Sequence, residues 1–210
     1  MHYTKEHIKK LNRIERLKLI NAATGIKPAN LIGSISENGQ VNLAIFSSVV
    51  HLGSDPALLG FIQRPRTKDV GHTYRNIMAT GEYTINHIHP EFIKNAHYTS
   101  SKFPENTSEF EACKLAEEYI PSFKAPFVKD SNFKMGMRFV EALPIKHNGT
   151  TLIIGEIMHL ICPDHISNAD MDINLEALNG VGISGLNSYY NLSKIEEFPY
   201  ARIAELPNFE

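Results

Sequence analysis

Ser47 and Ser48 stand side by side near the end of an apolar run, NLAIFSSVV. A second apolar run, ALLGFI, leads into a basic loop that carries Arg64, Arg66 and Lys68. A helical pattern opens at Thr73, with Asn76 three residues later, an amide variant of the capping box. Hydroxyls, guanidinium groups and the free N–H groups of a helix start can converge on one anion, and a phosphate suits them best. The alternative is a solvated basic loop ahead of an ordinary helix cap. These residues alone leave both readings open.

Other candidate chemistry is weaker. His87, His89 and His97 lie close in sequence, and His87 and His89 share a strand face. No cysteine or carboxylate completes a metal-ligand set beside them, so packing or surface histidines are expected. Glu117 and Glu118 read as part of a helix, where adjacent residues do not face each other, so an acidic surface is expected there. Gly180-Val181-Gly182-Ile183-Ser184-Gly185 matches G-x-G-x-x-G. That pattern binds a dinucleotide only between a strand and a helix of a βαβ unit. Here 25 residues follow it, with Pro199 and Pro207 among them, so we expect only a tight backbone passage. No G-x-S-x-G, Walker or H-E-x-x-H motif occurs.

The elements that must position these residues are mostly strands. Residues 4–21 read as one helix capped by Thr4, with Ile8, Leu11, Ile14 and Leu17 at helical spacing; its expected role is packing. Lys27-Pro28 leads into LIGSIS, and Asn38-Gly39 turns the chain antiparallel into Val41–Val50. NLAIFSSVV reads as one continuous strand joined to ALLGFI by a Gly/Asp/Pro turn. EYTINHI is a further strand, and the segment from Pro90 reads as a short helix. Residues 101–131 read as a loop-rich excursion with a helical turn or two in SEFEACKLAEEY. FKMGMRFVEALPIK and TTLIIGEIMHLI flank a second Asn-Gly turn at Asn148-Gly149. Roughly six strands with antiparallel hairpins argue against a doubly wound parallel sheet. They leave a barrel and a sandwich undecided.

A chain of 210 residues can form one domain with a substantial core. A formal net charge of −2 argues against nucleic acid as partner. Cys113 and Cys162 lie far apart and read as reduced thiols, which suits the cytoplasm. The charged N-terminus does not read as a secretory signal, and no window approaches the ~20 apolar residues of a membrane helix.

Taken together, the ordered motifs resemble the flavin reductase-like, FMN-binding split-barrel family. Its Asn-apolar-Ser strand matches Asn42–Ser47. Its Asp-Thr-x-x-Asn-Ile, Thr-Gly-Glu-aromatic and Asn run matches HTYRNIMATGEYTIN, with His72 where the family has Asp. Lys27-Pro28 stands where it has Arg-Pro, Ser108–Ala112 resembles its short Glu-Phe helix, LIIGEI matches a late strand, and GLNSYY is like its closing Gly-x-x-x-Tyr. The likeness spans about residues 25–192, between an N-terminal helix and a tail from 193.

The resemblance implies a mainly β fold with helical excursions, an antiparallel split β-barrel of Greek-key type, over one domain spanning residues 1–210. It implies an FMN cofactor, with FAD possible, reduced by NADH or NADPH, and a homodimer. Electrons would pass onward to a partner oxygenase or redox protein; a flavoredoxin-like electron carrier and a non-catalytic flavin-binding module are the other implied classes. For the phosphate end the expected residues are Ser47, Ser48, Arg64, Lys68, Thr73 and Asn76. For the ring and ribityl chain they are Asn30, Ala44, Ile45 and Phe46, with Asn187 and Tyr189 beside the ring edge. His72, His87 and His159 are the candidates for the nicotinamide face.

Overall fold

The computed structural model describes residues 1–65, 71–104, 106–164 and 173–209. Its centre is a seven-stranded sheet: β2 (Asn30–Ile35), β3 (Val41–Phe46), β4 (Val50–Ser54), β5 (Ala57–Gln63), β6 (Glu82–His87), β9 (Lys134–Ile145) and β10 (Thr150–Ile161). Their order is β3-β2-β6-β9-β10-β5-β4, with every neighbour antiparallel. Laid flat, seven strands at ~4.8 Å spacing would put the two edges about 29 Å apart. Yet the edge strands β3 and β4 are consecutive, and the four steps from Phe46 to Val50 reach at most ~14 Å. The sheet must therefore coil until its edges approach, which gives an antiparallel split barrel.

Ser48 sits in the short link between those edges. Its hydroxyl accepts from the Ile62 N–H at 3.0 Å and reaches the Ile62 carbonyl at 3.4 Å. NLAIFSSVV is thus not one strand. It breaks after Phe46, and its two halves join opposite edges of the sheet. Both Asn-Gly turns form as expected, with Gly39 and Gly149 at φ +82° and +73°. Leu31 pairs with Ile45, and Leu152 with Leu143.

β2 is buried on both faces, which explains why its two polar residues, Asn30 and Ser34, are buried along with its apolar ones. Ile32 joins Phe61, Ile77, Tyr83, Ile85, Met137 and Ile153 inside the coil. Leu31 points the other way, into a layer with Leu43, Phe92, Ala96, Phe110 and Val181. That outer layer is built by α4 (Ile93–Tyr98), α5 (Glu109–Ala112) and a small sheet of β1 (Lys27–Pro28), β11 (Val181–Ser184) and β12 (Ser188–Asn191). Gly155 makes room for the buried Tyr83, whose hydroxyl lies 2.1 Å from where a β-carbon would stand.

Two further expectations change, and a third is met. Residues 4–21 form two helices, α1 (Lys5–Lys10) and α2 (Arg13–Ala22), because Asn12 and Glu15 make a complete capping box between them. Neither helix has a fully buried residue, so they lie on the surface of the body, with Ile8, Leu19 and Asn21 half-buried. Only one helical turn forms in SEFEACKLAEEY; Glu117 and Glu118 are a two-residue strand, β7, paired with β8 (Phe127–Val128). Glu118 forms an ion pair with the buried Lys134. The G-x-G-x-x-G segment is β11 followed by a hairpin turn into β12, not by a helix. Gly182 lets β11 pass β1, since a β-carbon there would stand 2.4 Å from Ile26 Cγ2.

Candidate functional site

α3 (His72–Thr80) starts beside the open edge of β3. Its N-cap is Gly71, not Thr73, and no side chain caps it. Thr73 instead lies in the first turn, buried, and its hydroxyl accepts from Asn42 Nδ2 at 2.9 Å. Asn76 closes no capping box; it is buried and donates to Ser34 Oγ at 3.2 Å. With no side-chain cap, the first-turn amides of His72 and Thr73 stay available to an external acceptor.

β3 supplies the other wall. Gly33 and Leu43 face each other in the ladder, but the Leu43 N–H donates outward to Glu109 Oε2 at 3.0 Å. Alternation then turns the N–H and C=O of Ile45 outward too, along an edge with no further strand. A cleft of about 690 Å³ runs along this edge, within the ~300–1,000 Å³ range of small-molecule sites.

The cleft brings together Ala44, Ile45, Phe46, Ser47, Ser48, Arg64, Thr73 and Asn187, from β3, the inter-edge link, the end of β5, the start of α3 and the β11–β12 turn. Arg64 is exposed on its rim. Three expected residues, Asn30, Asn76 and Tyr189, are not in its lining. Lys68 lies outside the described residues, as does Arg66. Asn30 is 1% exposed, one strand in from the cleft, and neither atom of its amide has a partner. Asn76 lines an adjoining groove that shares Asn42 and His72 with the cleft. Tyr189 reaches it through His97: their Oη and Nδ1 are 2.9 Å apart, and His97 lines the wall. Burial raises the Tyr189 pKa, which keeps that hydroxyl protonated.

Several cleft residues escape a reading by sequence. Thr99, Ser100, Ser101 and Lys102 follow α4 and add hydroxyls and a cation; their adjacency as Thr-Ser-Ser-Lys is the signal. Gln63 lines the wall with its buried Oε1 unpaired. Of the three histidines considered for the nicotinamide face, His72 lines the cleft, whereas His87 packs on Phe133 and His159 on Phe123. Glu109 is a buried carboxylate on the cleft wall; burial raises its pKa, opposed by the Leu43 hydrogen bond. Among the described residues no group of His, Cys, Asp and Glu is arranged to hold a metal.

Glu109→Ala removes the only acceptor shown for the buried Leu43 N–H and should cost about 1–3 kcal/mol in denaturant unfolding. Glu109→Gln keeps an acceptor oxygen and should stay near the parent. Equal stability of all three proteins would contradict the assignment of this contact.

The fold is that of a split-barrel protein, with a cleft of small-molecule size along the edge of β3. The flavin reductase like domain model matches residues 26–177, and the chain belongs to that family. A protein provisionally assigned as a flavin reductase with a split-barrel domain, from Shewanella frigidimarina NCIMB 400, is 45% identical. Its superposition covers 96% of this chain and 100% of that one, with a TM-score of 0.92. Nitrilotriacetate monooxygenase component B from Bacillus cereus (19% identity, 94% and 99% covered, TM-score 0.82) shares the fold. Flavoredoxin from Desulfovibrio vulgaris (Miyazaki F) shares it too (19% identity, 84% and 92% covered, TM-score 0.73). Family membership makes this a flavin-binding, oxidoreductase-type domain.

The residues present fit a flavin nucleotide. Hydroxyls, Arg64, Lys102 and uncapped amides suit its phosphate, and the outward N–H and C=O of Ile45 and the unpaired Gln63 oxygen suit a polar ring edge.

Proposed function

We propose that the chain is an FMN-dependent reductase that takes hydride from NADH or NADPH and passes electrons onward. Flavin supplies the hydride acceptance and electron release, so the protein needs no nucleophile or acid–base pair of its own. The observation that carries this reading is the cleft along the open edge of β3, with its anion-receptive end at Ser47, Arg64 and the start of α3.

The chain's residues then have three tasks. Ser47, Arg64, Thr73, Ser100, Ser101 and Lys102 hold the phosphate, and the sequence assigns Lys68 to the same task. Ser48 contributes less, because its hydroxyl already holds the inter-edge link to Ile62. Ala44, Ile45 and Phe46 orient the ring and ribityl chain, Asn187 bounds the ring edge, and Tyr189 fixes His97 beside it. Asn30 and Asn76 act indirectly, Asn30 behind Phe46 and Asn76 by tying the buried face of α3 to Ser34 of β2. One cluster of phosphate donors favours FMN; FAD carries the same phosphate and would extend past His72 into the adjoining groove.

Pairing of two copies suits the outer face of the coil. Val50, Leu52, Leu143 and Ile145 are exposed together on β4, β9 and their neighbours. The onward acceptor fits an oxygenase component or another redox protein, by analogy with the component B neighbour. Work as one unit in the cytoplasm follows from the same reading, and among the described residues no helix is long and apolar enough to cross a membrane.

Anaerobic addition of NADH or NADPH to the FMN-loaded protein tests the reaction. Bleaching of the oxidised-flavin band within seconds to minutes is expected. Bleaching by dithionite but by neither nucleotide at millimolar concentration would replace the reductase with an electron carrier.

A further inference from the structure

Residues 195–209 form an arm whose large apolar side chains the folded body leaves exposed. Ser193 Oγ and the Lys194 N–H are fixed to Glu176 Oε1 at 3.1 and 2.9 Å. Beyond that anchor, Ile195, Phe198, Tyr200, Ile203, Leu206 and Phe209 are 63–97% exposed. Isolated apolar side chains on a surface are ordinary, but six within fifteen residues form a patch that needs a cover. α1 and α2 have no fully buried residue, and Ile14, Leu17 and Ile20 are exposed along α2.

The two surfaces also differ in charge. Residues 1–22 carry six lysines and arginines against two glutamates. Residues 193–210 carry four glutamates against one lysine and one arginine. Each chain thus presents one basic apolar surface and one acidic apolar surface, both uncovered by its own body. A two-fold exchange covers all four at once and closes on itself. The arm from Ile195 to Phe209, extended, reaches up to ~50 Å, enough to cross to a neighbouring subunit.

We infer that the C-terminal arm of one copy docks on the α1–α2 surface of a second copy. This rests on the homodimer proposed above and adds the contact that locks it. Asn21 of α2 lines the cleft, so the docked arm lies beside the flavin site of the other copy.

Photo-crosslinking with Phe198→benzoylphenylalanine, and separately Tyr200→benzoylphenylalanine, tests this. The FMN-loaded protein is irradiated as a mixture of isotopically light and heavy chains. The expected product runs at twice the 23.6 kDa chain mass, with light–heavy links to peptides from residues 5–22, and 0.5 M salt reduces its yield. Light scattering before irradiation separates the two claims. A dimer that links only within single chains, at another surface, or at neither position overturns the arm exchange and leaves the dimer standing. A monomer overturns both.

Discussion

Arg64→Ala should bind FMN ten- to hundredfold more weakly than the parent, with no loss of thermal stability. Arg64 lies exposed on the rim of the cleft, and no hydrogen bond or ion pair to another described residue ties it to the body. Its guanidinium is therefore free to reach a phosphate, and removing it takes nothing from the fold. A charge-assisted hydrogen bond is worth roughly 1.5–3 kcal/mol, which corresponds to that range in the dissociation constant. Thr73→Ala is the informative contrast. Its hydroxyl is buried against Asn42 Nδ2, so the loss leaves a buried amide without its partner. That should cost about 1–3 kcal/mol of stability, with weaker FMN binding as a second effect. Calorimetric titration and thermal melts of both variants separate the roles. Unchanged affinity in Arg64→Ala would place the phosphate elsewhere.

The second large effect is acid sensitivity at His87. Burial lowers its pKa from 6.5 to about 4, and its ring packs on Phe133 at 4.7 Å. The native protein therefore keeps His87 neutral over a range in which the unfolded chain takes up a proton. With a depressed native pKa, the full stability is present above pH ~6.5 and falls as the pH drops towards 4. The slope approaches ~1.4 kcal/mol per pH unit, with a total on the order of 3 kcal/mol. His87→Phe keeps an aromatic ring and removes the titration, so its denaturant midpoint should decline less between pH 7 and pH 4.5. Parallel declines in the two proteins would mean that other groups carry the acid sensitivity.

The hairpins were legible because Asn38-Gly39 and Asn148-Gly149 supply left-handed turn residues between strand-like runs, which is local chemistry. Rejection of the G-x-G-x-x-G segment was legible for the same reason, since no helix pattern follows it. The break after Phe46 was not, because its cause is global: the two sheet edges must meet, and Ser47 and Ser48 look like strand continuation until that closure is known. Thr73 matched a cap by residue type, yet Asn42, 31 residues away, claims its hydroxyl. A long-range partner of that kind leaves no local pattern. The cleft itself was half legible. Ala44–Ser48, Arg64 and Thr73 lie together in the central stretch, while Gln63, His97, Lys102 and Glu109 reach the cleft through tertiary packing of α4, α5 and β5. The helix over 4–21 failed on one residue, since Asn12 with Glu15 outweighs the apolar spacing across it.

The central claim is that the cleft along β3 holds a flavin by its phosphate. Its most direct test is a titration of flavin-free protein with FMN and with riboflavin, followed by calorimetry and by the flavin absorption band. FMN should bind stoichiometrically, one per chain, and riboflavin at least tenfold more weakly, because only FMN carries the anion that Arg64, Lys102 and the start of α3 receive. Equal binding of the two, or no heat with FMN, would contradict the assignment of that end of the cleft.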